Sequence, residues 1–347
     1  MQNNKSLKAD DDAVNSETST PLVSVIVVTY RQEDTLGRTL DSILAQRTDF
    51  PIEILVSDDC SPDGTPSVGE KYARRYPGIV KFHSNPHNLG VQGNYFGALR
   101  RARGKYIADC AGDDFWTDPL KLSKEVALLE HDPAITVVHT GWEYNYPDGK
   151  RKTFQPPYDY SSGEQITVDL PESNLYFTAY AETGAITGTR LLSTTGWPPL
   201  HLCTALYRRD AALKVLDDNL ELFMNPDWGC EDLQLSTELC FAGKTAYIPY
   251  STLAYSVGNP SISSDENYAK TFDFYFGVLR LLTLLLKKHN VEATATLEKI
   301  AHFLTAQAFR AKSKERMRKI VAFMKSEGLA PTWKGRIYRI LSPIVCK

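Results

Sequence analysis

Three acidic pairs stand out in this chain of 347 residues. Asp58 and Asp59 occur in "SDDCSPDGT", Asp113 and Asp114 in "GKYIADCAGDDFWTDP", and Glu231 and Asp232 in "DWGCED". Adjacent carboxylates repel, so each pair calls for something that offsets the repulsion. For Asp113 and Asp114 a divalent cation would do so. Hard Mg2+ or Mn2+ suits oxygen ligands, and magnesium is commonly held by one or two carboxylates together with substrate phosphates. Solvated turn residues are the plainer account of the same pair. In 57–65 a carboxylate at a strand end can accept the imide N–H of a uracil, bond a ribose hydroxyl, or simply cap the Ser-Pro-Asp-Gly turn. Glu231 and Asp232 open an amphipathic stretch with Leu233, Leu235 and Leu239. A carboxylate at a helix N-terminus is favoured by the dipole and is usually structural, but it can also act as general base toward a hydroxyl nucleophile.

The elements that must position these groups follow from periodicity. "VSVIVVTY" (23–30) is a continuous β-branched run, which predicts a strand buried on both faces. Leu36, Leu40, Ile43 and Leu44 then recur at helical spacing. Strands are expected at 52–59, 79–84, 105–110 and 134–140, with helices at 65–76 and 92–103. Asp118-Pro119 reads as an N-cap with proline at the first helical position, which predicts a helix to about 130. This alternation implies an α/β fold with a mostly parallel, doubly wound sheet, in which ligands bind beyond the carboxyl ends of the strands. Tyr30, Asp58, Asp59, Asp113 and Asp114 all fall there. Residues 141–200 are rich in Tyr, Pro, Gly, Ser and Thr and are expected to be loops and short strands over the site. A turn, helix and strand are expected over 225–249, and helices over 270–325.

Hydrophobic content of 42% and charged content of 23% are those of a soluble globular protein, and a net charge of −3 gives no general attraction to nucleic acid. The six cysteines show no CxxC pair or zinc spacing and read as reduced thiols, so the expected compartment is the cytoplasm. No apolar run reaches membrane-spanning length. Residues 1–20 carry no apolar signal core and are expected to be a disordered, acidic leader. From 311 onward ten Lys/Arg stand against Glu315 and Glu327, a local charge of +8. Such a tail fits an anionic membrane surface, here the cytoplasmic face of the inner membrane, or a solvated helical face.

Four ordered segments carry a resemblance: "PLVSVIVVTYRQEDTLGRTLDSILAQ", "IEILVSDDCSPDGT", "NLGVQGNYFGALRRARGKYIADCAGDDFW" and "CEDLQLSTELCFAGKTAYI". The chain resembles the inverting, family 2 nucleotide-sugar glycosyltransferases with the GT-A fold, closely over 21–140 and more loosely over 202–263. The resemblance implies a hexosyltransferase-type enzyme that moves a sugar from a nucleoside diphosphate donor, UDP above all, to a hydroxyl of a glycan or lipid-linked acceptor in surface polysaccharide synthesis. It implies nucleotide binding by Thr29, Tyr30, Asp58, Asp59, Asn88, Gly90, Asn94 and Asp113, and a divalent cation (Mg2+ or Mn2+) on Asp113 and Asp114. It implies Asp232 as catalytic base beside Glu231, and closure of 253–263 over the diphosphate. Trp116 and Trp228 are expected either to stack on sugars or to pack in the core.

Three positions depart from the family pattern: Ala111 where an acid is usual, Gly93 where an arginine often precedes Asn94, and Gly258 where some relatives carry histidine. A non-catalytic nucleotide-sugar binding module of the same fold is the alternative that the missing acid favours. A dinucleotide-dependent oxidoreductase would need GxGxxG after the first strand, where "TYRQEDTL" stands instead. The expected division is a GT-A domain over 21–265, with a nucleotide-binding half (21–140) and an acceptor half (141–265), followed by a helical extension over 266–347.

Overall fold

The computed structural model describes residues 20–154, 158–194, 200–258 and 267–345; the expected leader and residues 259–263 of the closing segment lie outside the described residues. The first half alternates as its periodicity predicts. In order come β1 (Val23–Thr29), α1 (Leu36–Leu44), β2 (Ile52–Asp58), α2 (Thr65–Arg75), β3 (Val80–Ser84), α3 (Gly90–Arg101), β4 (Tyr106–Asp109), β5 (Phe115–Trp116), α4 (Lys121–His131) and β6 (Ile135–Asn145). Val23, Val25 and Val27 of β1 face one core with Leu36, Leu40 and Ile43 of α1. Ile26 faces the other, with Tyr95, Phe96 and Leu99 of α3. A two-sided β-branched strand is thus buried because helices cover both faces of the sheet.

The second half continues with β7 (Arg151–Thr153), β8 (Glu164–Leu170), β9 (Leu175–Thr183), α5 (Gly184–Ser193), β10 (Leu206–Arg208), α6 (Arg209–Asp218), α7 (Leu220–Phe223), α8 (Asp232–Phe241) and β11 (Lys244–Ser256). Four helices follow: α9 (Tyr268–His289), α10 (Thr294–Arg310), α11 (Lys314–Ser326) and α12 (Trp333–Val345). The sheet has the order β3-β2-β1-β4-β10-β6-β11-β9-β8, with β5 paired to β11 and β7 to β6. β3, β2, β1 and β4 are parallel, and β6 is parallel to β11. β10 runs antiparallel between β4 and β6, so the two parallel blocks share one direction.

Three expectations change. The strand placed at 134–140 runs on to Asn145, because β11 and β7 flank it along that length. The region 141–200 holds a regular hairpin, β8 with β9, and a helix rather than only short pieces. That helix lies hard against α8: a Cβ on Gly184 would fall 1.8 Å from the Cys240 carbonyl oxygen, so only glycine permits the approach. The helix expected from Asp118 begins at Lys121. Asp118 instead closes a turn, its Oδ1 accepting the Leu120 N–H (2.9 Å) while its Oδ2 pairs with Lys124. Among the described residues no helix is long and apolar enough to cross a membrane.

Lys121 is fully buried and pairs with the equally buried Glu125 at 2.6 Å, its ammonium lying 4.7 Å from the centre of the Trp116 ring. Burial pushes the Glu125 carboxyl up to about 7, with Lys121 opposing. Breaking such a pair strands a buried charge, whereas replacing both partners does not. Lys121→Met should therefore cost about 3–5 kcal/mol of unfolding free energy. The double variant Lys121→Met/Glu125→Leu should recover most of it. Urea unfolding of the three proteins checks this, and a double variant no more stable than the single would show that the pair is not what holds α4.

Candidate active site

Because β1, β2 and β4 are parallel, their carboxyl ends share one edge. Asp59 follows β2 and organises the loop before α3. Its Oδ1 accepts from the Leu89 N–H (2.8 Å) and Asn85 Nδ2 (3.0 Å), and its Oδ2 from the Gly90 N–H (3.0 Å). Gly90 has φ +75°, the left-handed backbone that glycine adopts most easily. Asn88 Nδ2 donates to the Asp59 carbonyl at 3.2 Å, and its Oδ1 accepts from the Gly90 N–H. Asn94 is buried below and ties α3 to β2: its Oδ1 accepts from Ser57 Oγ (2.7 Å) and its Nδ2 donates to the Ser57 carbonyl (2.9 Å). Asp58 is buried, with Oδ2 accepting from Ser84 Oγ and the Ser61 N–H. Tyr30 is exposed.

Several polar atoms at this edge are buried without a hydrogen-bond partner: Thr29 Oγ1, Gln32 Oε1 and Asp58 Oδ1. Such groups are costly to leave unpaired in a finished core, and they gather just under the edge where the strands end. Gly112 makes room for two of them. A Cβ there would lie 2.4 Å from Gln32 Oε1 and 3.0 Å from Thr29 Oγ1. The Gly112 N–H bonds the Val28 carbonyl and the Asp59 N–H bonds the Thr29 carbonyl, both at 3.0 Å. The nucleoside candidates and the Asp113 loop are therefore joined through the last residues of β1.

Asp113 and Asp114 differ in setting. Asp114 is only 1% exposed, and its Oδ1 accepts the Ser256 N–H at 2.8 Å, fastening the end of β11 to the loop. Burial and then the charge of Asp113 raise its carboxyl, against the Ser256 N–H and Arg38. Asp113 is half-buried, and its carbonyl accepts from Arg38 Nη2 (2.8 Å) and Ser256 Oγ (2.7 Å). The Arg38 guanidinium, exposed and stacked on Phe115 at 4.4 Å, brings positive charge to the acidic loop. Among the described residues no three His, Cys, Asp or Glu side chains gather in a metal-binding group.

Glu231 and Asp232 sit at the N-terminus of α8, which enters the same edge because it runs back against β11. Burial, then the charge of Asp232, pushes the Glu231 carboxyl up from its ordinary range. Asp232 Oδ1 accepts the N–H of Leu233 at 2.8 Å. His201 precedes the turn Leu202–Thr204 packed between β4 and β6. Burial lowers its imidazole, and the charge of Asp232 opposes that. Tyr255 feels both acidic groups: burial raises its phenol, as do the charges of Asp114, Asp113 and Asp232. Gln92 Nε2 of α3 donates to the Cys230 carbonyl at 3.0 Å, closing the edge between α3 and α8.

Both tryptophans are core residues rather than sugar platforms. The indole of Trp116 is buried and donates to the Cys203 carbonyl, and that of Trp228 donates to the Leu222 carbonyl. Sequence reasoning missed Arg38 and His201, whose partners are distant in the chain; Arg38 and Ser256 are 218 positions apart. It also missed Asp109, an acid inside a strand, which was itself a signal. Its carboxylate is fully enclosed beside the Tyr95 and Tyr207 hydroxyls, which bond each other and lie close enough to Asp109 to favour its charged form.

An α/β sheet with nucleoside, diphosphate and base candidates along one carboxyl edge defines the class of nucleotide-sugar transferases with the GT-A fold. The sequence pattern of glycosyl transferase family 2 matches residues 24–216. The chain belongs to that family. It is 41% identical over 147 residues to the uncharacterized protein Rv1520 of Mycobacterium tuberculosis, covering 42% of this chain and 42% of that one. It is 35% identical over 109 residues to WfaP of Escherichia coli, named a UDP-Glc:alpha-D-GlcNAc-diphosphoundecaprenol beta-1,3-glucosyltransferase, covering 31% of this chain and 41% of that one. The chain thus matches less than half the length of these curated relatives. The fold is similar to that of Staphylococcus aureus TarS (residues 1–349) in complex with UDP-GlcNAc, with TM-score 0.53 and 21% identity over 83% of this chain and 72% of that one.

Burial raises the Asp109 carboxyl from 3.8 to about 7, with the Tyr95 and Tyr207 hydroxyls and Lys121 opposing. Between those values the unfolded chain has released a proton that the folded chain still holds. Stability from this group is therefore highest at low pH, falls as pH rises from about 4 to about 7, and is flat above. Asp109→Asn should abolish that slope and stabilise the protein at pH 8 by on the order of 4 kcal/mol relative to its effect at pH 4. Chemical denaturation across this range checks it; a variant that is destabilised equally at every pH would contradict the burial argument.

Proposed function

We propose that the chain is an inverting glycosyltransferase that moves a sugar from a nucleoside diphosphate-sugar, a UDP-sugar, to a hydroxyl of a glycan or lipid-linked acceptor in cell-surface polysaccharide synthesis. The observation that carries the reading is the row of groups on one sheet edge. It runs from Asp59 through Thr29 and Gly112 to Asp113, and on through Tyr255 and His201 to Asp232. The UDP-sugar and the surface-glycan setting are supported by similarity to the E. coli glucosyltransferase and to a Bacillus subtilis protein named a putative teichuronic acid biosynthesis glycosyltransferase.

In this proposal residues 21–140 bind the nucleotide and 141–265 the acceptor. Thr29, Tyr30 and Asp58 face the nucleoside, and Asp59, Asn88, Gly90 and Asn94 hold the loop against it. A divalent cation, when bound, would supply positive charge to the diphosphate as the leaving group separates. Asp113 would hold it, one carboxylate with substrate phosphates sufficing for a magnesium-like ion. Asp114, tied to Ser256, sets the loop's shape, and Arg38 adds fixed positive charge beside the diphosphate.

Asp232 takes the acceptor's hydroxyl proton. The acceptor oxygen bonds the anomeric carbon from the face opposite the leaving group, the bond from that carbon to the phosphate oxygen breaks, and the nucleoside diphosphate leaves. One displacement inverts the configuration. Glu231, its carboxyl raised by burial and by Asp232, binds a proton more readily than a free glutamate and so lessens the negative charge beside the base.

Asp232→Asn should lower turnover by about 10²–10⁴-fold with UDP affinity intact. Wild-type turnover in this variant would refute the base assignment. Asp113→Ala should make UDP binding independent of added Mg2+ or Mn2+ in calorimetric titration. A cation dependence that survives the substitution would remove the metal from this loop. Wild-type protein that binds UDP-sugars and never hydrolyses or transfers them would instead favour the non-catalytic binding module.

A further inference from the structure

Helix α12 presents an apolar stripe to the outside. Trp333, Ile337, Ile340 and Leu341 are all exposed, Trp333 by 67% and Ile340 by 72%. At about 100° per residue, Ile340, Trp333, Ile337 and Leu341 fall in that order within an arc of about 100°. Arg336 lies just beyond one border of the arc and Lys334 just beyond the other, and both are exposed. Gly335 and Tyr338 lie where the helix meets the protein. Gly335 is buried against Thr305, and the Tyr338 ring stacks on Phe309 at 4.7 Å, both partners belonging to α10. The stripe therefore lies on the outer side of the helix, with Gly335 opposite it and Tyr338 on its flank.

We infer that α12 is an in-plane anchor that lays Trp333, Ile337, Ile340 and Leu341 into the surface of an anionic lipid bilayer, with Lys334 and Arg336 on the headgroups. An apolar arc bordered by bases, with a tryptophan in the arc, is the pattern of an interfacial helix. At 13 residues it is about 20 Å long, too short to cross a bilayer and suited to lie along one. Charge selects the occupant. Residues 311–347 carry +8 in a chain whose net charge is −3, so the remainder carries −11 and positive charge is concentrated in the segment that bears the stripe. A second copy docked on the same face would bring Lys334 and Arg336 against their own equivalents, and α12 contains no acid to offset them. An anionic lipid surface satisfies both parts of the helix at once. This extends the reading of a surface-glycan transferase to a site far from the cleft, and its test does not depend on turnover.

Cosedimentation of the full chain with vesicles provides that test. Binding to phosphatidylcholine–phosphatidylglycerol vesicles should be at least about tenfold tighter than to phosphatidylcholine alone and should weaken as salt is added. Ile340→Ser/Leu341→Ser should lose about tenfold or more of that binding, and Lys334→Glu/Arg336→Glu should erase the preference for anionic lipid. Because these side chains face outward, the circular dichroism and melting temperature of both variants should stay those of the wild type. UDP affinity should be unchanged, which separates loss of the anchor from failure of the cleft assignment. Equal binding to both vesicle types, or full binding by the Ile340/Leu341 variant, would overturn the inference. So would a concentration-dependent dimer that the same variant dissolves in protein that binds no vesicles.

Discussion

Repulsion among acids crowded at one sheet edge is the constraint around which this molecule is organised. Asp58, Asp59, Asp109, Asp113, Asp114, Glu231 and Asp232 come from strand ends and a helix start that the fold brings to the same side. Parallel strands make this unavoidable, since every β-to-α turn leaves on one edge. The structure relieves the crowding differently at each place. Asp59 is surrounded by N–H donors from the loop it shapes. Asp114 is bonded to the Ser256 N–H and sits near Arg38. Glu231 and Asp109 respond instead by holding their protons to higher pH.

The remaining features follow from that arrangement. The buried Lys121 opposes the raising of both Asp109 and Glu125, a positive charge set among buried acids. The antiparallel β10 sits beside β4 and brings Tyr207 to Asp109. The turn before it carries His201 toward Asp232. The tie from Ser256 to Asp114 makes the end of β11 part of the acidic loop.

Much of this was legible in the residues. The β-branched run of β1 and the alternation to 140 marked a parallel sheet, and paired acids at the strand ends marked the edge that matters. What was not legible depends on contacts between residues distant in the chain. A three-residue strand such as β10 has no periodicity to detect, yet it reverses direction in the middle of the sheet. Arg38 reads as one more polar residue of an amphipathic helix until Phe115 and Ser256 arrive from elsewhere. Trp116 and Trp228 read equally as platforms or core, and only their buried N–H partners decide between the two.

The departure at Ala111 acquires a physical meaning from β4. The Cys110 and Gly112 N–H groups both bond carbonyls of β1, so the strand pairing continues past Asp109 and positions 109 and 111 share one face. Asp109 therefore lies about 6.6 Å back along the strand from position 111, on the same face. An acid at 111 would stand at the open edge beside Asp113. Asp109 is enclosed by Tyr95 and Tyr207 and pushed toward the protonated form. It stands away from the Asp113 loop, and whatever charge it carries helps to raise the Glu231 carboxyl. A cation at this edge would then rely on Asp113 and the phosphates of its substrate, so its binding would be coupled to the arrival of the donor.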